Sequence, residues 1–116
     1  MPRPNARADV FRAVADPTRR AALEVLARRP ELPVTELAEQ LAVGLPMLSR
    51  HLAVLRDAGL VRQQQSGRQR LYSIDPEPLR ELYDWAALFN EFWQERITGL
   101  RAYLDRQQTG ESDRAT

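Results

Sequence analysis

Apolar residues recur along this chain at helical spacing over its first sixty positions, alternate for about a dozen, then return to helical spacing. Val10, Phe11 and Val14 share one side of a helix predicted over Ala6–Ala15. Asp16-Pro17-Thr18 restarts the chain, with Asp16 suited to an N-cap and Pro17 to the first helical position. Ala22, Leu23, Val25 and Leu26 predict a buried helix that ends near Pro30. A third helix, within Val34–Leu41, can begin at Thr35, whose hydroxyl can cap it, with Leu37 and Leu41 as its apolar edge. Ala42-Val43-Gly44 is a tight connection to a helix over 45–58, which turns Leu48, Leu52 and Leu55 inward. Pro46, Arg50, Ala53 and Asp57 face the other way, flanked by Ser49, and Gly59 sits where a left-handed residue ends a helix. Residues 62–74 then form a hairpin: a polar run, a Ser66-Gly67 turn and an alternating strand from Arg70 to Ile74. Asp75-Pro76-Glu77-Pro78 punctuates the chain, and one long helix is expected from Leu79 to about Arg106, roughly 40 Å at about 1.5 Å per residue. One domain is expected over 1–106, with a polar, disordered tail over 107–116.

Two short helices joined by a Gly-containing turn, the second one basic outward and followed by an Arg-studded ribbon, make the pattern of a winged helix-turn-helix. Three blocks of the chain resemble the ArsR/SmtB family of bacterial winged-helix repressors. They are VFRAVADPTRRAALEVL over 10–26, ELAEQLAVGLPMLSRHLAVLRDAGLV over 36–61, and GRQRLYSID over 67–75. Trp85 and Phe92-Trp93 make the chain similar to the subgroup without cysteine sensors. The resemblance implies a mainly α fold with a small β-hairpin wing (α+β), dimerising through long C-terminal and N-terminal helices. It also implies a homodimeric repressor on an inverted-repeat operator in double-stranded DNA, located in the cytoplasm and at the nucleoid when bound. Leu45, Pro46, Ser49 and Arg50 would enter the major groove, with Arg50 the candidate reader of guanine. Arg62, Gln63, Arg68 and Arg70 would serve the wing and the adjacent backbone, while Arg19 and Arg20 would grip phosphate from the second helix. His51, the one histidine, can hydrogen-bond a phosphate or pack beside the apolar stripe. Gly44 and Leu45 stand where the family usually places a Ser cap and a polar base reader, and Met47 where Ala is usual. Leu45 offers only apolar contact, for instance to a thymine methyl, so strict sequence specificity is not expected from these positions, and some of it would come from DNA shape read by the wing.

Charge distribution agrees with this placement. The net charge is only +1, but residues 44–74 carry five Arg against Asp57 alone, whereas residues 75–116 carry five Arg against nine acids. All 17 basic residues are Arg. Arg is the side chain suited to bidentate phosphate contacts. The chain has no cysteine, so disulfides and thiolate metal sites are excluded, and no window has the apolar length of a membrane span. No hydrophobic signal core is present at the N-terminus. Neither a nucleophile–base pair nor a phosphate loop is visible, so an enzyme is not expected.

The final helix is too apolar for a solvent-facing appendage. Trp85, Phe89, Phe92, Trp93, Ile97 and Leu100 form a stripe that predicts a two-fold dimer, packed against its mate and against Phe11 of the first helix. The same aromatics can line a pocket for an apolar ligand, which would make an unidentified small molecule the inducer. A winged helix turned to protein interaction is the other alternative, permitted by Leu45 and Met47. Neither cofactor nor metal is expected. The family's cysteine site falls on VTELAEQL here, and its Asp-x-His site on Asp84-Trp85-Ala86, while Asp84, Glu91 and Glu95 read as a solvated face.

Overall fold

The computed structural model describes the backbone of residues 6–115 and the side chains of residues 9–108. The chain divides into two compact units at Leu82/Tyr83. The first contains α1 (Ala6–Ala13), α2 (Pro17–Arg28), β1 (Leu32–Pro33), α3 (Val34–Leu41), α4 (Leu45–Asp57), β2 (Val61–Ser66) and β3 (Gln69–Ile74). A 3-10 turn at Glu77–Leu79 leads into α5 (Arg80–Ala87), and α6 (Asn90–Ala115) belongs to the second unit.

Leucines build the core of the first unit. Leu26, Leu32, Leu37, Leu48, Leu52, Leu55 and Leu60 are all fully buried, and no described polar side chain joins them. Burying each stabilises the fold by about 1.5–3 kcal/mol. Three of them, Leu48, Leu52 and Leu55, are one face of α4, so its opposite face is held outward.

Local signals fix most boundaries. The Asp16 carboxylate accepts the backbone N–H groups of Thr18 at 2.8 Å and Arg19 at 3.0 Å, capping α2 ahead of Pro17. Gly59 takes φ +76 beyond the end of α4. There Leu60 N–H donates to the Leu55 carbonyl and Gly59 N–H to that of Arg56, the paired bonds of a Schellman motif. In the helix-turn-helix connection the left-handed residue is Ala42, at φ 55 and ψ 42, while Gly44 stays extended at φ −70.

Five boundaries differ from the sequence pattern. First, α1 stops at Ala13 and not Ala15, because Pro17 has no N–H to continue the ladder onto the Ala13 carbonyl, which the Arg19 side chain takes instead. Second, α3 starts at Val34 with Pro33 as its N-cap residue and no side-chain cap bond, so Thr35 lies inside the helix. The cause is β1, which pairs Leu32 with Tyr72 and Pro33 with Leu71 and runs straight into α3. Third, the wing is therefore part of a three-stranded antiparallel sheet in the order β1-β3-β2. Fourth, its turn residues are Gly67, at φ +61, and Arg68, since Ser66 still pairs with Gln69. Fifth, the single long helix is interrupted at Leu88 and Phe89, whose N–H groups bond three residues back, to Trp85 and Ala86. These bonds tighten the last turn of α5 and break the ladder without any Gly or Pro. The tail expected over 107–116 falls largely outside the described side chains, and α6 is assigned through Ala115.

Within the second unit Trp85 and Phe89 meet edge to face at 5.3 Å, and Phe92 and Trp93 at 5.4 Å. The Arg96 guanidinium lies over the Phe92 ring, 4.7 Å from its centroid. The stripe nevertheless remains open to solvent, with Trp85, Phe89, Phe92 and Trp93 each close to half exposed.

Candidate nucleic-acid interface

The exposed face of α4 begins at an N-terminus with no side-chain cap, where Gly44 precedes Leu45 and Pro46. Pro46, lacking an N–H, costs little in the first turn, and the remaining free N–H groups leave partial positive charge at this end. Ser49, Arg50 and Ala53 follow on the exposed side. Beside them, α4, the start of α3 and the wing enclose an open cleft of about 300 Å³. Leu45, Ser49, Arg68 and Arg70 line it, together with Gln69, Pro33, Val34 and Thr35. Arg50, Arg68 and Arg70 make no hydrogen bond or ion pair to another described residue. Three exposed guanidinium groups thus stand free, Arg68 and Arg70 in the cleft and Arg50 on the exposed face of α4.

Other residues expected at this surface are engaged elsewhere. Arg62 donates to Asp75 at 2.9 Å, at the foot of the wing, and Gln63 accepts from Arg56. Arg20 donates to the Val14 carbonyl at 2.8 Å. Arg19 donates Nε to the Ala13 carbonyl at 2.7 Å and Nη2 to that of Arg12 at 3.1 Å. Its Nη1 lies 3.2 Å from Nδ1 of His51, which is turned away from the exposed face and largely buried. That nitrogen is also 4.0 Å from the Asp16 carboxylate. The backbone bond from Arg19 is the chief cause that holds the Asp16 carboxyl below the usual value of 3.8. His51, the Thr18 N–H and the Arg19 charge act in the same direction against a desolvation that opposes them. Phe11 is partly buried in α1.

Sequence reasoning missed Thr35, Gln69, Pro33 and Val34 as cleft residues. Gln69 belongs to the wing itself, but only the β1–β3 pairing brings Pro33, Val34 and Thr35 to it, and a two-residue strand leaves no periodic signal. Met47, the residue that with Leu45 permits the protein-interaction alternative, is half exposed in the first turn of α4.

A helix-turn-helix domain profile matches residues 14–64, which hold α2, α3 and α4. The HTH-type transcriptional regulator Rv2034 of Mycobacterium tuberculosis is 40% identical over 97 residues, covering 84% of this chain and 87% of that protein. A crystal structure of an ArsR family transcriptional regulator superposes with a TM-score of 0.68 at 36% identity, covering 81% of this chain and 96% of that one. The chain belongs to the ArsR/SmtB-type family of winged helix-turn-helix regulators. The arsenical resistance operon repressor of Escherichia coli is 33% identical, with 84% of each chain covered. As an ArsR-type protein this chain is a DNA-binding transcriptional regulator and not an enzyme. Its α3–α4 pair is the helix-turn-helix, and the β2–β3 hairpin is the wing. Among the described residues no group of three His, Cys, Asp or Glu side chains is placed to hold a metal ion. No described helix is long and apolar enough to cross a membrane.

Proposed function

We propose that this ArsR-type chain is a homodimeric repressor whose α4 enters the major groove of an inverted-repeat operator while the wing holds the flanking backbone. The observation that carries this reading is the pair of unpaired cations Arg68 and Arg70 in the cleft at the uncapped end of α4, with unpaired Arg50 exposed on the same helix. Ser49 and Arg50 are the polar side chains in position to touch base edges, and Leu45 and Pro46 supply apolar contact. Arg68 and Arg70 sit on the exposed part of the hairpin, where a phosphate can be met without first breaking an internal bond. Arg62, Gln63 and Arg20 would have to leave their present partners to do the same. The protein would act in the cytoplasm, at the nucleoid when bound.

Dimerisation is supported by the second unit. Trp85, Phe89, Phe92, Trp93, Ile97 and Leu100 are each close to half exposed or more, a larger apolar surface than a stable monomer leaves in water. A second copy of the same stripe would cover it about a two-fold axis, which would set two copies of α4 against the two halves of the operator. Sedimentation velocity tests this directly. The unmodified chain should run as a dimer at micromolar concentration, and Phe89→Asp or Trp93→Asp should give monomers or aggregates. A well-folded monomer of the unmodified chain would overturn the reading.

A further inference from the structure

Arg19 is one of the two residues of α2, with Arg20, expected to reach DNA, yet its side chain is already spent inside the first unit. Three of its N–H directions are engaged: Nε on the Ala13 carbonyl, Nη2 on the Arg12 carbonyl and Nη1 on Nδ1 of His51. The first satisfies the Ala13 carbonyl, the second adds to the Ala15 N–H already on the Arg12 carbonyl, and the third reaches across to α4. Asp16 completes the group, with its carboxylate fixed by two backbone N–H bonds and standing 4.0 Å from His51. One guanidinium therefore ties the end of α1, the start of α2 and the middle of α4.

We propose that Arg19 is a positioning residue for DNA recognition, which sets the rotation of α4 through His51, and that it does not contact phosphate. The proposal rests on α4 being the helix that enters the groove. The packed side of α4 consists of Leu48, Leu52 and Leu55, and contacts of this kind tolerate small rotations because dispersion is not directional. A hydrogen bond from a planar fork is directional. His51 follows Arg50 in the helix, so the bond that fixes the azimuth of His51 fixes that of Ser49 and Arg50 as well. Arg19 has only donors to offer, so this contact is a hydrogen bond when Nδ1 is the accepting nitrogen of the ring. To reach a phosphate, Arg19 would abandon three bonds and leave the end of α1 uncapped, whereas Arg50, Arg68 and Arg70 carry no such cost.

The roles separate in a titration of the full-length chain against a duplex recovered by selection and a scrambled duplex of equal length, each at several sodium chloride concentrations. Arg19→Lys keeps the charge but not the fork. It should lose about tenfold affinity for the selected duplex, with scrambled-duplex binding and the salt slope unchanged. His51→Leu, which removes the acceptor, should lose a similar factor, and the double variant no more than either alone. His51→Asn, whose side-chain oxygen can stand near the place of Nδ1, should recover most of the affinity. Circular dichroism melts accompany each variant, and if Arg19→Lys does not fold, the contrast between His51→Leu and His51→Asn decides. Unchanged affinity in Arg19→Lys, or a slope about 0.9 shallower in Arg19→Gln, would make Arg19 a phosphate contact and overturn the proposal. So would equal losses in His51→Asn and His51→Leu. Arg50→Ala identifies the underlying failure: if it too leaves selected-duplex binding unchanged, the docking of α4 is wrong and the positioning role falls with it.

Discussion

Two left-handed residues show how far single positions decide this backbone. Gly59 meets its φ of +76 without a Cβ penalty, but Ala42 holds φ 55 at the turn between α3 and α4 with one. Ala42 is exposed, so nothing packs on its methyl group. Ala42→Gly should therefore stabilise the fold by about 0.5 kcal/mol, the left-handed strain relieved less the entropy added to the unfolded chain. Gly59→Ala should destabilise it by about 1 kcal/mol, since the added Cβ meets Pro78 Cγ only at an ordinary 3.6 Å and the backbone conformation alone is at fault. Denaturant melts at constant m-value measure both. Asp16 makes a second residue-scale prediction. Its folded pKa lies below 3.8, so its contribution to stability is present above that value and is lost as pH falls through the lower folded one. Asp16→Ala should accordingly melt lower at neutral pH, with the difference from the parent shrinking in acid. A difference independent of pH would mean that the cap does not act through its charge. Asp16 and Gly59 were legible in the sequence because each acts on neighbours within three or four positions. The partners of Arg19 were not, since His51 lies 32 positions away and nothing local encodes the meeting.

Among elements, the ones with their own periodicity are legible: α4 from Leu48, Leu52 and Leu55, and β3 from its alternation, with the turn one residue later than the sequence pattern places it. Elements defined by a distant partner were not. β1 exists because Leu32 and Pro33 pair with Tyr72 and Leu71, and the same pairing draws Thr35 to the cleft and displaces it from the cap of α3. The break between α5 and α6 falls at Leu88-Phe89, inside an unbroken apolar pattern, so the pattern alone predicts one helix. The wing and α4 should also separate in function. Arg68→Ala and Arg70→Ala should weaken binding to every duplex alike and flatten its salt dependence, by counterion release. Arg50→Ala should cost about 1–3 kcal/mol and relax preference at one position of each half-site. If Arg50→Ala instead behaves like the wing changes in salt titrations, Arg50 is a phosphate clamp.

For the whole molecule, the charge segregation along the chain becomes spatial. The basic stretch over 44–74 forms α4 and the wing in the first unit, while most of the acid-rich remainder lies in the second with the apolar stripe. One unit thus offers the chemistry of a DNA surface and the other that of a self-association surface, and the proposed repressor needs both. Selection of bound duplexes from a random pool by the full-length chain tests that claim most directly. The account predicts an enriched inverted repeat whose half-sites are centred about one helical turn apart, roughly 10 base pairs. Enrichment of a lone half-site, or of no sequence even at low salt, would contradict it.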